Sequence, residues 1–173
     1  MKISILVMLT TLAGTGATRA EVVSTGPQGF RLRISQQVAA PPEAVFKAIG
    51  DIGHWWSDAH TYSGKATNMT MPLVPNACFC ESLPGGGVRH GVVNLVIPDR
   101  QVRVSAALGP LQDEGVSAAL FFNLVPKDGG TALNVTYNVG GARAEMVAAA
   151  PIIDGVISEA ARRLKSYVET GRP

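Results

Sequence analysis

The chain has 173 residues, of which 46% are hydrophobic, 16% charged and two cysteine, with a formal net charge of +2. That is enough chain for one domain with a sizeable core, and too apolar a composition for disorder. Its 19 glycines follow no period, no heptad persists and two cysteines staple little, which excludes collagen-like, coiled-coil and disulfide-scaffold classes.

Residues 1–20 read as a cleavable leader. Met1-Lys2 is a short positive start, Ile3 to Leu12 is largely apolar, and Thr18-Arg19-Ala20 ends in the small residues a signal peptidase accepts, so cleavage is expected after Ala20. The run is too short to span a bilayer, and Leu12-Ala13-Gly14 is followed by Thr15 rather than a lipid-bearing cysteine. The expectation is an exported protein, periplasmic or secreted, with no stable membrane anchor. Removing Lys2 and Arg19 from 15 basic residues leaves 13, equal to the 13 acidic ones, so the mature chain is formally neutral. No basic run or basic-aromatic stripe speaks for nucleic acid. A neutral, apolar-rich domain suits a small hydrophobic molecule as partner.

Residues 21–29 read as an N-terminal lead, and residues 30–170 as a single domain. Phe30, Leu32, Ile34 and Val38 alternate with Arg31, Arg33, Ser35 and Gln37, the signature of a strand with one buried face. Pro41-Pro42 ends it and opens a short helix over 43–49, and Gly50 and Gly53 bracket a second helical turn running into Trp55-Trp56. Six further strands are predicted, at about 67–73, 77–83, 88–97, 101–108, 116–126 and 131–139. Pro84 to Gly87, Pro98-Asp99, Gly109-Pro110 and Asp128 to Gly130 supply the turns between them. Short turns make the neighbours antiparallel.

The registers can be written down. A two-residue loop at Pro98-Asp99 sets Leu95 against Val102, Val93 against Val104 and Gly91 against Ala106. A four-residue loop from Lys127 to Gly130 sets Leu124 against Leu133, Phe122 against Val135 and Leu120 against Tyr137. Each pairing puts apolar on apolar, and a one-residue slip would invert every position. After Gly140-Gly141 the period becomes 3.6. Ile153, Val156, Ile157, Ala160, Leu164 and Val168 form one stripe, with Pro151 separating a lead-in turn from the main helix. The fold class is α+β: a seven-stranded antiparallel sheet covered by one long C-terminal helix, with two short helices between its first two strands.

This order resembles the START-like, or polyketide cyclase/dehydrase, superfamily (SRPBCC, Bet v 1-like), whose fold is called helix-grip. The resemblance runs from about Phe30 to Glu169. Ala40-Pro41-Pro42-Glu43-Ala44-Val45-Phe46 is similar to the family's opening, and Asp51-Ile52-Gly53-His54-Trp55-Trp56 to the turn that follows it. The resemblance implies a curved sheet wrapped around the helix and a cavity for lipids, sterols, polyketides or other apolar molecules. Members include carriers, cyclases, hydrolases and chaperone activators with no shared catalytic set, so the fold implies a container and leaves its contents open.

Trp55, Trp56, Tyr62, Met69, Cys80 and Tyr137 are the candidates for lining such a cavity, through aromatic area, a pliable thioether and one polar tip. Gln36 is a further inward polar position, and Arg89 another at its strand's end. Cys78 and Cys80 share one sheet face, and a four-residue loop from Pro84 to Gly87 sets them against Val93 and Gly91, on the apolar side. Buried thiols, a disulfide near the geometric limit for an extended strand, and a soft-metal site are all open there. The metal reading has only His54, His60 and His90 to add, at no established zinc spacing. The same register sets Glu81 against His90 on the opposite face. They form a surface pair if that face is wet, or reach the cavity if a bulge upsets the parity. His60, Glu81 and His90 are the acid/base candidates for an enzyme of cyclase, dehydratase or hydrolase type. No Gly-x-Ser-x-Gly elbow, phosphate loop or cofactor motif is present, and no cofactor is expected.

Overall fold

A computed structural model describes residues 19–173, with side chains from Val22 onward. The alternating runs become strands β1 (Arg19–Gly26), β2 (Gly29–Val38), β3 (Met69–Thr70), β4 (Cys78–Leu83), β5 (Gly86–Ile97), β6 (Gln101–Ser105), β7 (Ser117–Lys127) and β8 (Gly130–Gly140). They form one antiparallel sheet in the order β1-β2-β8-β7-β6-β5-β4-β3. Helices α1 (Pro42–Gly50) and α2 (Ile52–Trp55) follow β2, and α3 (Ala144–Ala148) and α4 (Ala150–Thr170) close the chain. The proposed leader lies, up to residue 18, outside the described residues.

Among the described residues the sheet has eight strands, one more than the alternation predicts. The segment expected as an N-terminal lead is β1, which pairs with β2 through a tight turn at Pro27-Gln28. It escapes the period-2 signal because its register shifts between Val22 and Ser24, leaving Val23 exposed. The strand expected over 67–73 shrinks to Met69–Thr70, preceded by a 3-10 turn at Ala66–Asn68 and followed by Pro72, which has no N–H for a ladder. The strand expected to reach Leu108 stops at Ser105, and a 3-10 turn over Gly109–Glu114 takes its place.

The β7–β8 pairing is the predicted one: Leu124 faces Leu133, Phe122 faces Val135 and Leu120 faces Tyr137. The turn itself is Asp128-Gly129, both residues at positive φ, as a two-residue hairpin of this hand requires. Between β5 and β6, Val93 faces Val104 as predicted, but Leu95 faces Arg103 and Val96 faces Val102. The loop there is three residues, Pro98 to Arg100, and a bulge at Asn94 restores the register beyond it. A second bulge in β5 falls at His90, between the pairs Phe79–Gly91 and Cys80–Arg89. Two bulges in one strand bend it strongly and curl the sheet.

Helix α4 lies across the concave face. Ala150, Ile157, Ala160, Ala161 and Leu164 are buried, and Pro151 sits in its first turn, where its missing N–H costs nothing. The small side chains at 160 and 161 let the helix approach β2, whose Gln36 donates from Nε2 to the Ala161 carbonyl. Arg163 donates to the carbonyls of Trp55 (2.8 Å) and Trp56 (3.1 Å), satisfying the exposed C-terminal end of α2 and fixing it against α4. The tryptophan pair is thereby set between helix and sheet.

Candidate functional site

A cavity of about 330 Å³ lies between the first turns of α4, the segment from Trp56 to Tyr62, Met69 on β3, His90 on β5 and the stretch Leu108–Pro110. Ile153, Val156 and Ile157 form its helical wall. Among the described residues, no Lys, Arg, Asp or Glu side chain lines it. The size and apolar lining with a few polar groups are those of a small-molecule site.

Two acidic residues behind the wall hold the loop that carries its polar groups. Asp58 accepts the Ala66 N–H (2.6 Å) and so closes the loop between them. Glu81 accepts the backbone N–H groups of Tyr62 (3.1 Å) and Ser63, holding the middle of that loop over β4. Glu81 also lies 2.9 Å from His90 Nε2. The carboxylate is wholly buried and its histidine nearly so. Burial alone would raise the Glu81 carboxyl above its ordinary value. Hydrogen bonds from Ser63, from the Tyr62 backbone and from His90 outweigh that and hold it below. The other ring nitrogen of His90, Nδ1, lies 3.3 Å from the Gln112 side-chain amide nitrogen, at the long end of hydrogen bonding. The ring packs against Phe79 and Tyr62, with centroids 5.1 and 5.8 Å away.

A second carboxylate–imidazole pair stands at the rim. His60 Nε2 is 3.2 Å from Glu159 Oε2 on α4, with both side chains about one-third exposed. The Ser57 hydroxyl, with help from His60 and against partial burial, holds Glu159 below the ordinary carboxyl value. The Trp56 indole donates to the His60 carbonyl (3.0 Å), so Trp56 and His60 are fixed as one unit.

Of the predicted lining residues, Trp56, Tyr62 and Met69 line this cavity, and Tyr62 is 56% exposed at its mouth. Trp55, Cys80 and Tyr137 do not. Trp55 is buried in the core and donates to the Ala48 carbonyl (2.7 Å). Tyr137 is fully buried, donates to the Ala106 carbonyl (2.9 Å) and accepts from the Leu108 N–H (3.1 Å), which makes it a brace for the segment after β6. Arg89 is exposed.

The cysteines sit on the outer face, contrary to the apolar placement expected. The β4–β5 turn is only Pro84-Gly85, and the bulge at His90 flips the parity beyond it, so Cys78 faces Val92 rather than Val93. Phe79 and Glu81 are therefore the inward residues. Cys78 and Cys80 are joined in a disulfide, with Cα atoms 5.3 Å apart. Neither is a free thiol, and among the described residues no cluster of three His, Cys, Asp or Glu side chains is placed to hold a metal.

Of the acid/base candidates, His60 and His90 line the cavity, and Glu81 stands directly behind His90. Sequence reading missed Glu159, Gln112 and the 108–110 wall. Glu159 lies 99 residues from His60, a separation that carries no local signal. The wall formed by Ile153, Val156 and Ile157 was visible as helical spacing.

The model for the family described as polyketide cyclase/dehydrase and lipid transport matches residues 29–169. No curated protein matches the chain. Among solved structures, a conserved protein of unknown function from Enterococcus faecalis superposes with a TM-score of 0.60 at 13% identity, over 86% of this chain and 77% of that one. A Rhodobacter sphaeroides protein gives 0.59 at 20% identity, over 87% and 97%. The Aha1 dimer from Colwellia psychrerythraea gives 0.57 at 16%, over 83% and 98%. At these identities the likeness is one of fold.

Proposed function

We propose that this chain, which belongs to the polyketide cyclase/dehydrase and lipid transport family, binds a small hydrophobic or amphipathic molecule in the cavity between its sheet and its C-terminal helix. The observation that carries the reading is the cavity of about 330 Å³, walled by Trp56, Met69, Ile153, Val156 and Ile157, with two imidazoles as its main polar groups. The reading includes export, on the strength of the leader pattern over residues 1–20. Native mass spectrometry of the purified protein, beside a denatured spectrum, tests both. A non-covalent mass lost on denaturation and a chain starting at Glu21 are expected. A bare full-length chain that takes up no apolar probe would overturn the reading.

A second reading rests on the Glu81–His90 and Glu159–His60 pairs. A carboxylate that fixes one imidazole nitrogen leaves the other to exchange protons with a ligand, the arrangement used in general acid–base catalysis. Chemical conversion of a bound ligand that is lost in both H60F and Q112A/H90N proteins would favour an enzyme over a carrier.

A further inference from the structure

We infer that the cavity selects neutral apolar molecules carrying a hydroxyl or N–H donor, and turns away anions. The inference rests on the ligand-binding reading above and specifies the ligand's chemistry.

Each histidine must place one proton. Glu81 and Glu159 both stand below their ordinary pKa because donors converge on them, so both are carboxylates and accept only. His90 and His60 each turn Nε2 to one of these carboxylates. Nε2 therefore carries the hydrogen, and in the neutral ring Nδ1 is left as a lone-pair acceptor. In each ring the nitrogen turned away from its carboxylate thus keeps a lone pair, and both rings line the cavity. Each has a negative group directly behind it, and among the described residues no Lys or Arg side chain lines the cavity to offset them. Arg163 is committed to the Trp55 and Trp56 carbonyls. A carboxylate or phosphate entering this space would lose its hydration and meet lone pairs.

The protein already contains a stand-in for the donor. The Gln112 amide nitrogen faces His90 Nδ1 at 3.3 Å, from the 3-10 turn that begins with the cavity-lining Gly109 and Pro110. A ligand hydroxyl at normal hydrogen-bond distance would replace that long contact, and the Gln112 side chain, only half-buried, can turn to water.

The test uses the purified protein and three probes with one apolar body: 1-naphthol, naphthalene and 1-naphthoate, titrated calorimetrically at about pH 7.5. The expected order is naphthol about tenfold tighter than naphthalene, with naphthoate weakest. Q112A should tighten naphthol about threefold or more while leaving naphthalene unchanged, because an internal competitor is removed. H60F, at a partly exposed position, should narrow the gap between naphthol and naphthalene. Naphthoate binding as tightly as naphthol, or naphthol and naphthalene binding equally, would overturn the donor rule while leaving the ligand-binding reading standing. If none of the three binds, both fall.

Discussion

His90 is the one residue by which β5 exceeds β4 at the pairs Phe79–Gly91 and Cys80–Arg89, and its Nε2 lies 2.9 Å from Glu81 Oε2. Without the extra residue, the β5 side chains beyond it would point to the other face of the sheet. The bulge lets Val88 and His90 face inward on one side of it and Gly91 and Val93 on the other. Gly91 is required at this spot. A Cβ there would run into the Ser105 carbonyl oxygen and lie 2.7 Å from the Ala106 Cβ. Glu81 then does two things, accepting from His90 and from the loop that carries Tyr62 and Ser63.

Removing that charge should loosen both. In E81Q, one carboxylate oxygen becomes an amide N–H₂ facing donors inside the protein. The expected loss is about 2–4 kcal/mol in urea unfolding, within the range for breaking a buried pair. The 62–63 amides should lose hydrogen-exchange protection ahead of those of β7 and β8. Unchanged stability with full protection at 62–63 would mean the carboxylate is not what holds the loop.

The same group sets an acid limit. Because Glu81 is held below its ordinary value in the folded protein, its contribution is fully present above the unfolded carboxyl pKa, near 4.5, and drains away as pH falls through the lower folded value. Glu159 and Glu169 shift in the same direction, with weaker effect because they are less buried. Stability measured from about pH 6 downward should fall below about pH 4.5. The fall should be shallower in E81Q than in the wild type. Parallel curves would show that Glu81 titrates normally.

Much of this architecture was legible in the chain. Period-2 runs gave the main strands, a 3.6 period gave α4, and the apolar matching of β7 with β8 gave their register residue for residue. The expected Val93–Val104 pair forms because a loop one residue longer than the sequence suggests is offset by a bulge at Asn94. No such cancellation occurred at β4. There a single bulge reversed the faces of Cys78, Cys80 and Glu81, because a bulge is a backbone choice that leaves no mark in a polar–apolar pattern. The site is less legible for a related reason. His60 meets Glu159 and His90 meets Gln112 only once the sheet has curled around the helix.

The two tryptophans should separate cleanly in ligand response. Trp56 is on the cavity wall, whereas Trp55 is 1% exposed and hydrogen-bonded to Ala48. W56F is expected to lower affinity for an apolar probe about tenfold or more, with a modest stability change. W55F should lower stability by about 1–3 kcal/mol through lost packing and the lost indole bond, leaving affinity within about twofold. Intrinsic fluorescence of the W55F protein should still respond to the probe, and that of W56F should not.

The disulfide is expected to contribute modestly to global stability. It closes a loop of only three residues, Cys78 to Cys80, so the chain-entropy estimate for removing it is about 1.5 kcal/mol. A C78S/C80S protein should unfold at correspondingly lower denaturant. Thiol titration of unfolded wild-type protein should find none before reduction and both cysteines after it. Two reactive thiols in the unreduced protein would remove the bridge from the structure.

Tyr137 offers the sharpest contrast between lining a cavity and bracing its wall. Its hydroxyl is buried with partners on both sides, and burial raises its pKa well beyond the ordinary tyrosine range. Y137F leaves the Ala106 carbonyl and the Leu108 N–H unpaired in the interior, at an expected cost of about 1–3 kcal/mol. Because Leu108 lines the cavity while Tyr137 does not, the variant should keep the ordering of probe affinities and shift them together by a small factor. A selective loss of binding for hydroxyl-bearing probes, with stability unchanged, would instead put the Tyr137 hydroxyl in direct contact with the ligand. Calorimetric titration of the three naphthyl probes beside a urea melt of the same protein distinguishes the two outcomes.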